Sequence, residues 1–173
     1  MFVGFFAERN QGILFYNDCM RVEVDMSGRI EETNRPTVLA LANGTFASIR
    51  ISAKDKRTIL KTLRYFRPKW SDTLISVFVF SVLLYLLLKN YIRKTNQVVV
   101  DNEYVGYGAV IKNRVLTLCR KAGIKTSGDK IDFKRIGKNS PAHNLALATF
   151  RGVSKPTKKV LTKEVLKFFS IKK

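Results

Sequence analysis

Between Thr73 and Leu88 the chain carries no charged side chain, and this run limits what the rest can fold into. A helix that is apolar on every side either crosses a bilayer or lies at the centre of a protein core. The flanks, Lys69-Trp70 before and Lys89, Tyr91, Arg93 and Lys94 after, are of the aromatic and basic kind that borders a membrane span. A single-pass protein with residues 73–92 as the span is therefore one reading. A span needs about 20 apolar residues, which this run reaches only if its ends snorkel. The neighbouring segments argue the other way. A bilayer would separate strand-like segments before the run from one after it, and each needs sheet partners. The buried central helix is the reading carried forward.

A chain of 173 residues fits one domain with a modest appendage. Its formal charge of +19 concentrates polyanions, nucleic acid first and anionic membrane second, although a solvated lysine surface accounts for part of it. Cys19 and Cys119 lie outside any metal-binding spacing and read as two packed thiols of a reduced, cytoplasmic chain. The stretch Met1–Glu8 lacks a basic leader and is not read as a secretory signal. No Walker loop, dinucleotide fingerprint or nucleophile elbow is present, which removes those enzyme classes.

Residues 1–19 read as an extension or edge strand, with an apolar run over 12–18. Residues 20–26 alternate, with Val22 and Val24 opposite Arg21, Glu23 and Asp25, and Ser27-Gly28 turns the chain. Segments 37–42 and 45–52 flank Asn43-Gly44, a hairpin signal because both residues tolerate positive φ. Ser52 with Asp55 opens a helix whose apolar stripe is Ile59, Leu60, Leu63 and Phe66, with Lys54, Lys56, Arg57, Lys61 and Arg64 around it. Ser71 or Asp72 caps the uncharged helix, expected to run to about Arg93. Gln97–Asp101 is a short buried strand ending in acids, Asp101 and then Glu103. A helix over 105–122, a strand over 130–136 and a helix opened by Ser140-Pro141 follow. The domain is expected to span 20–152. Residues 153–173 are expected to be a basic linker with a short helix, whose Phe168-Phe169 patch must bury itself somewhere.

Three antiparallel strands followed by helix-linked strands resemble the ribonuclease H-like superfamily, and particular residues carry the likeness. Val24-Asp25-Met-Ser-Gly28 resembles the family's first Asp before a small-residue turn, and Val100-Asp101 its second essential Asp. Pro141-Ala-His-Asn-Leu-Ala-Leu-Ala148 resembles its terminal helix, with His143 at the last ligand position. The resemblance implies an α/β fold with a mixed five-stranded sheet: a three-stranded meander, helix-linked strands and flanking helices. It also implies an Asp–Asp–His site, Asp25, Asp101 and His143, similar to that of Piwi domains and some junction resolvases, with Glu103 as an accessory ligand. Such a site binds Mg²⁺, or Mn²⁺ given the imidazole, and cleaves phosphodiesters. The chain departs from the family in having no Glu in the helix after the third strand, and in the helical insertion at 53–68.

Each candidate also has a structural role open to it. Asp25 suits a turn, Asp101 a strand end, and His143 a core position in line with Leu147 and Phe150. Lys134, Arg135, Lys138, Arg151 and Lys155 surround the candidate site in sequence and are of the type that grips phosphates. The leading reading is a metal-dependent nuclease or related phosphodiester-processing enzyme. The alternatives are an inactive nucleic-acid-binding module of the same fold and the single-pass membrane protein.

Overall fold

The computed structural model describes residues 20–170. The apolar run at 12–18 and Cys19 lie outside them. The chain forms β1 (Arg21–Ser27), β2 (Thr37–Ala42), β3 (Ala47–Ile51), α1 (Ala53–Phe66), α2 (Asp72–Leu88), β4 (Gln97–Asp101), α3 (Gly108–Lys121), β5 (Ile131–Lys134), α4 (Pro141–Phe150), β6 (Lys158–Val160) and α5 (Thr162–Leu166). This is an α/β protein with one mixed sheet in the order β5-β4-β1-β2-β3-β6. The meander β1-β2-β3 is antiparallel, β4 and β5 extend it in parallel beyond β1, and β6 lies parallel to β3.

The sheet has six strands, not five. The sixth comes from Lys158–Val160, inside the segment expected to be a linker. There is correspondingly no break at residue 152. Asp55, whose backbone N–H is capped by Ser52, also accepts the hydroxyl and N–H of Thr162 at 2.7 and 3.1 Å, which ties α5 to α1. Phe169 is buried against Trp70, and the Arg114 guanidinium lies over the rings of Phe78 and Phe169 at 5.2 and 5.4 Å. The terminal aromatic pair is thus absorbed by the same core.

The uncharged run is a buried central helix. Almost every residue of α2 from Ile75 to Leu88 is buried, among the sheet, α1, α3 and α5. Ser81, midway along it, donates its hydroxyl back to the Val77 carbonyl at 2.7 Å, so no polar atom is stranded there. The helix stops at Leu88 and residues 89–94 are turns, so it does not continue to Arg93. Among the described residues no helix is long and apolar enough to cross a membrane. The membrane-span reading of 73–92 is corrected accordingly.

Strand alternation gives the sheet two unlike faces. Val22, Val24, Leu39, Leu41, Ile49, Ile51, Val98 and Val100 join the main core on the α2 side. Their alternates Glu23, Asp25, Ala40, Ala42, Ser48, Arg50 and Asp101 face the α4 side. There α4 packs on β2, whose Val38, Ala40 and Ala42 are buried on this face, with its own Ala142 and Ala146 buried as well. Two glycine positions are required by this arrangement. Gly44 follows Asn43 at the hairpin, both with positive φ (88° and 80°). A Cβ on Gly28 (φ 76°) would meet the Pro36 carbonyl at 2.3 Å and the Phe150 ring at 2.6 Å.

Lys56, read among the basic residues around the α1 stripe, lies inside the core. It is fully buried, and its ammonium donates to the Arg29 carbonyl at 2.7 Å and to the Thr37 hydroxyl at 2.9 Å. Burial lowers its pKa from 10.5 to about 8, against the pull of Glu32 and Glu31. Between those two values the unfolded chain binds more protons than the folded one, so this group makes stability rise with pH through that window. Denaturant titrations from pH 7 to 10 should show the unfolding free energy of the native protein gaining on that of Lys56→Met as pH rises. A constant difference between the two would refute the assignment.

Candidate metal centre

β1 and β4 are adjacent parallel strands, so both run toward the same edge of the sheet. Their register pairs Val22 with Val98 and Val24 with Val100, and the next pair is Asp25 and Asp101. Alternation then sends both carboxylates to the α4 face. Glu103, two residues on, is brought round by a turn in which its N–H bonds the Asp101 carbonyl at 2.9 Å. Ligand atoms of Asp25, Asp101 and Glu103 all lie within 4.8 Å of one another.

Each carboxylate is held. Asp25, only 4% exposed, accepts the Met26 N–H at 2.7 Å on one oxygen and meets Nδ1 of His143 at 2.6 Å on the other. Asp101 accepts the Ile136 N–H at 2.5 Å from the loop after β5. Glu103 faces Nε of Arg29 at 3.6 Å, and Nη2 of Arg29 donates to the Glu103 carbonyl at 3.2 Å. The Arg29 carbonyl is in turn the acceptor for buried Lys56, so α1 fixes the turn that carries this arginine.

His143 occupies the first turn of α4. Ser140 caps that helix by accepting the Ala142 N–H at 3.1 Å and donates its own hydroxyl to Glu23 at 2.7 Å. The imidazole therefore reaches Asp25 from a helix whose start is anchored to β1. Among the described residues its hydrogen-bond partner is Asp25, and it lies outside the group of three converging acids. Glu103, read from sequence as accessory, is the third member of that group.

The electrostatics are those of crowded carboxylates, with Arg29 beside Glu103 opposing the repulsion. Burial raises the Asp25 pKa, with the Met26 and His143 hydrogen bonds opposing and the Asp101 charge adding. Burial likewise raises Glu103, followed by repulsion from Asp101, with Arg29 opposing. Three carboxylates offer an all-oxygen donor set suited to a hard divalent cation, which would remove the repulsion. A cleft of about 310 Å³, lined by Arg29, Asp101, Asn102, Glu103, Val105 and Arg135, gives access to Asp101 and Glu103.

The five expected phosphate-gripping residues do not form one cluster. Arg135 lines the cleft, Lys134 sits opposite Asp101 across β4–β5 and bridges Asp132 at 2.7 Å, and Lys138 is exposed on the loop before α4. Arg151 and Lys155 lie past the other end of α4, where Lys155 lines a separate cleft with Arg50 and Lys159. Sequence reasoning missed Arg29 and Glu23. Arg29 follows the Asp25 turn so closely that its position was a usable signal. The long-range partner of Glu23 left none.

Compared with known proteins, the chain matches no family model, no curated protein and no solved structure.

Removing one of the crowded charges should stabilise the metal-free protein. Asp101→Asn keeps an oxygen for the Ile136 N–H and relieves both neighbours. In chelator, its unfolding midpoint should rise by about 2–4 °C, the shift produced by roughly 1 kcal/mol in a domain of this size. Millimolar Mg²⁺ or Mn²⁺ should raise the midpoint of the native protein and leave that of the variant unmoved. Equal metal-induced shifts in both proteins would exclude Asp101 as a ligand.

Proposed function

We propose that the protein is a metal-dependent nuclease, or a related phosphodiester-processing enzyme, of the ribonuclease H-like class. The observation that carries this reading is the convergence of Asp25, Asp101 and Glu103 beside an arginine-lined cleft, in a chain of net charge +19. In so basic a protein, three acids gathered toward the C-terminal ends of two neighbouring strands are well suited to hold a cation against a polyanion. The order of elements adds support: an antiparallel meander followed by helix-linked parallel strands, with the two aspartates at the ends of β1 and β4.

A divalent cation held by Asp25, Asp101 and Glu103 would supply charge stabilisation at the scissile phosphate and an activated water. The chain's own groups have separable tasks. The Met26 and Ile136 N–H groups fix the rotamers of Asp25 and Asp101. His143 orients Asp25 through Nδ1, a carboxylate–imidazole support. Arg29 and Arg135, which line the cleft with Asn102, would neutralise phosphates drawn into it, and exposed Lys138 would extend that surface.

The second reading is a nucleic-acid-binding module of the same fold without catalysis, and one observation favours it. α2 is buried in the apolar core from Ile75 onward apart from Phe78, and its one acid, Asp72, is exposed and paired with Arg64 rather than with the site. Incubation with single- and double-stranded DNA, RNA, hybrid and junction substrates in Mg²⁺ or Mn²⁺ separates the two. The nuclease reading expects cleavage that falls to background in Asp101→Asn and Glu103→Gln, and by about 10–100-fold in His143→Ala. Salt-sensitive binding should survive in all three. Binding without cleavage under every condition would leave the module, and cleavage unchanged in Asp101→Asn would discard the site.

A further inference from the structure

The edge of the sheet farthest from β5 holds a second charged feature that the carboxylate site does not use. β3 and β6 run parallel, with Arg50 directly opposite Lys159. Register partners share a face, so two cations stand side by side on the α4 face, an arrangement that costs stability unless an anion lies between them. Lys155, on the loop from α4, lines the same cleft of about 400 Å³. None of the three is paired with a carboxylate among the described residues, and the nearby acids are committed elsewhere. Glu164 is bridged by Lys158 at 2.5 Å on the opposite face of β6, and Asp55 is taken by Ser52 and Thr162.

The cleft also has polar walls. Thr149 of α4 is buried, with its hydroxyl 3.5 Å from that of Ser48, and Ser154 lies on the rim. The connecting loop is fixed at both ends. The Val153 and Ser154 N–H groups bond the Ala148 carbonyl at 2.9 and 3.2 Å, and the Thr157 hydroxyl accepts the Ser48 N–H at 3.0 Å. The first two bonds also satisfy the Ala148 carbonyl near the end of α4. The partial negative charge of that helix end, about half a unit, is small against three cations.

We infer that this cleft binds a phosphate group through Arg50, Lys155 and Lys159, as a second contact for a nucleic-acid strand engaged at the carboxylate site. The nucleic-acid part rests on the function proposed above; the phosphate chemistry does not. Both sites face the α4 side of the sheet, Asp25 meeting the first turn of α4 and Thr149 standing near its end. A ten-residue helix spans about 15 Å, roughly four steps of duplex at 3.4 Å each. A free or small-molecule phosphate is the other source of the same chemistry, and the test separates the two.

Arg50→Gln/Lys159→Gln is compared with Lys61→Gln/Lys121→Gln, which removes equal charge from α1 and from the end of α3. Binding of DNA and RNA oligonucleotides is measured in chelator across a salt series, so that cleavage plays no part. The cleft variant should bind at least tenfold more weakly than the control pair near 0.1 M salt, with a shallower salt slope by about one to two. Equal affinities in the two variants overturn the strand contact, whatever Asp101→Asn does to cleavage. If the native protein binds no nucleic acid at all, the proposed function fails, and inorganic phosphate decides the cleft alone. A phosphate-induced rise in unfolding midpoint that disappears only in the cleft variant sustains the site as one for small phosphates. The absence of any such rise overturns it.

Discussion

The parallel pairing of β1 with β4 is the contact on which the other features depend. It joins the locally formed meander to the helix-linked half of the chain, and it is long-range, bridging residues 21–24 and 97–100. Nothing local stabilises it before it forms, so its loop-closure cost has to be met by what it buries. The uncharged α2 meets that need. Lying within the connection between β3 and β4, it can satisfy its apolar surface only by packing beneath the sheet that this pairing completes. The same register then places Asp25 beside Asp101. Core formation and site formation are consequences of a single alignment, and a one-residue slip of β4 against β1 would send Asp101 into the apolar layer.

That alignment carries a local cost. Asp25 is nearly inaccessible, and burial and the neighbouring acid both favour its neutral form, while the Met26 N–H and His143 favour the charged one. The surrounding structure holds the acids together against their repulsion. Ile136 anchors Asp101 from the loop after β5, Arg29 opposes Glu103, and Lys56 grips the Arg29 carbonyl from inside the core. Groups from four separate parts of the chain fix the carboxylates. Holding such a cluster by so many constraints makes most sense where the cluster itself is useful.

Much of this was legible where the signal is local. Asn43-Gly44 marked its hairpin, Ser52 with Asp55 and Ser140-Pro141 marked helix starts, and alternation at 20–26 marked β1. These succeed because turn and cap chemistry is decided by two to four adjacent residues. β6 was missed because Lys158-Lys159-Val160 has neither length nor apolar alternation; it is a strand only because β3 offers an unpaired edge. Lys56 was misplaced despite a readable cue, since it stands three and four residues before Ile59 and Leu60 and so lies on the apolar stripe. Its buried acceptors, supplied by Arg29 and Thr37, could not be foreseen. His143 meets Asp25 but is not among the three converging groups, and where its ring falls depends on how deeply α4 seats, which no local pattern encodes.

The seating of α4 is where composition becomes chemistry. On the α2 side the sheet is covered by Leu, Ile and Val, which hold a helix at ordinary packing distance. On the other side Ala40 and Ala42 face Ala142 and Ala146, and with so little side-chain volume between them the helix can approach more closely. Close approach lets short groups at its first turn reach the strand: the Ser140 hydroxyl meets Glu23 at 2.7 Å and the His143 ring meets Asp25 at 2.6 Å. At its far end Thr149 comes within reach of Ser48, and the chain then turns at Gly152 to carry Lys155 and Lys159 back alongside Arg50. Bulkier residues at the alanine positions would lift both ends of α4 together. The small side chains of this face are thus the structural requirement shared by the carboxylate centre and the basic cleft.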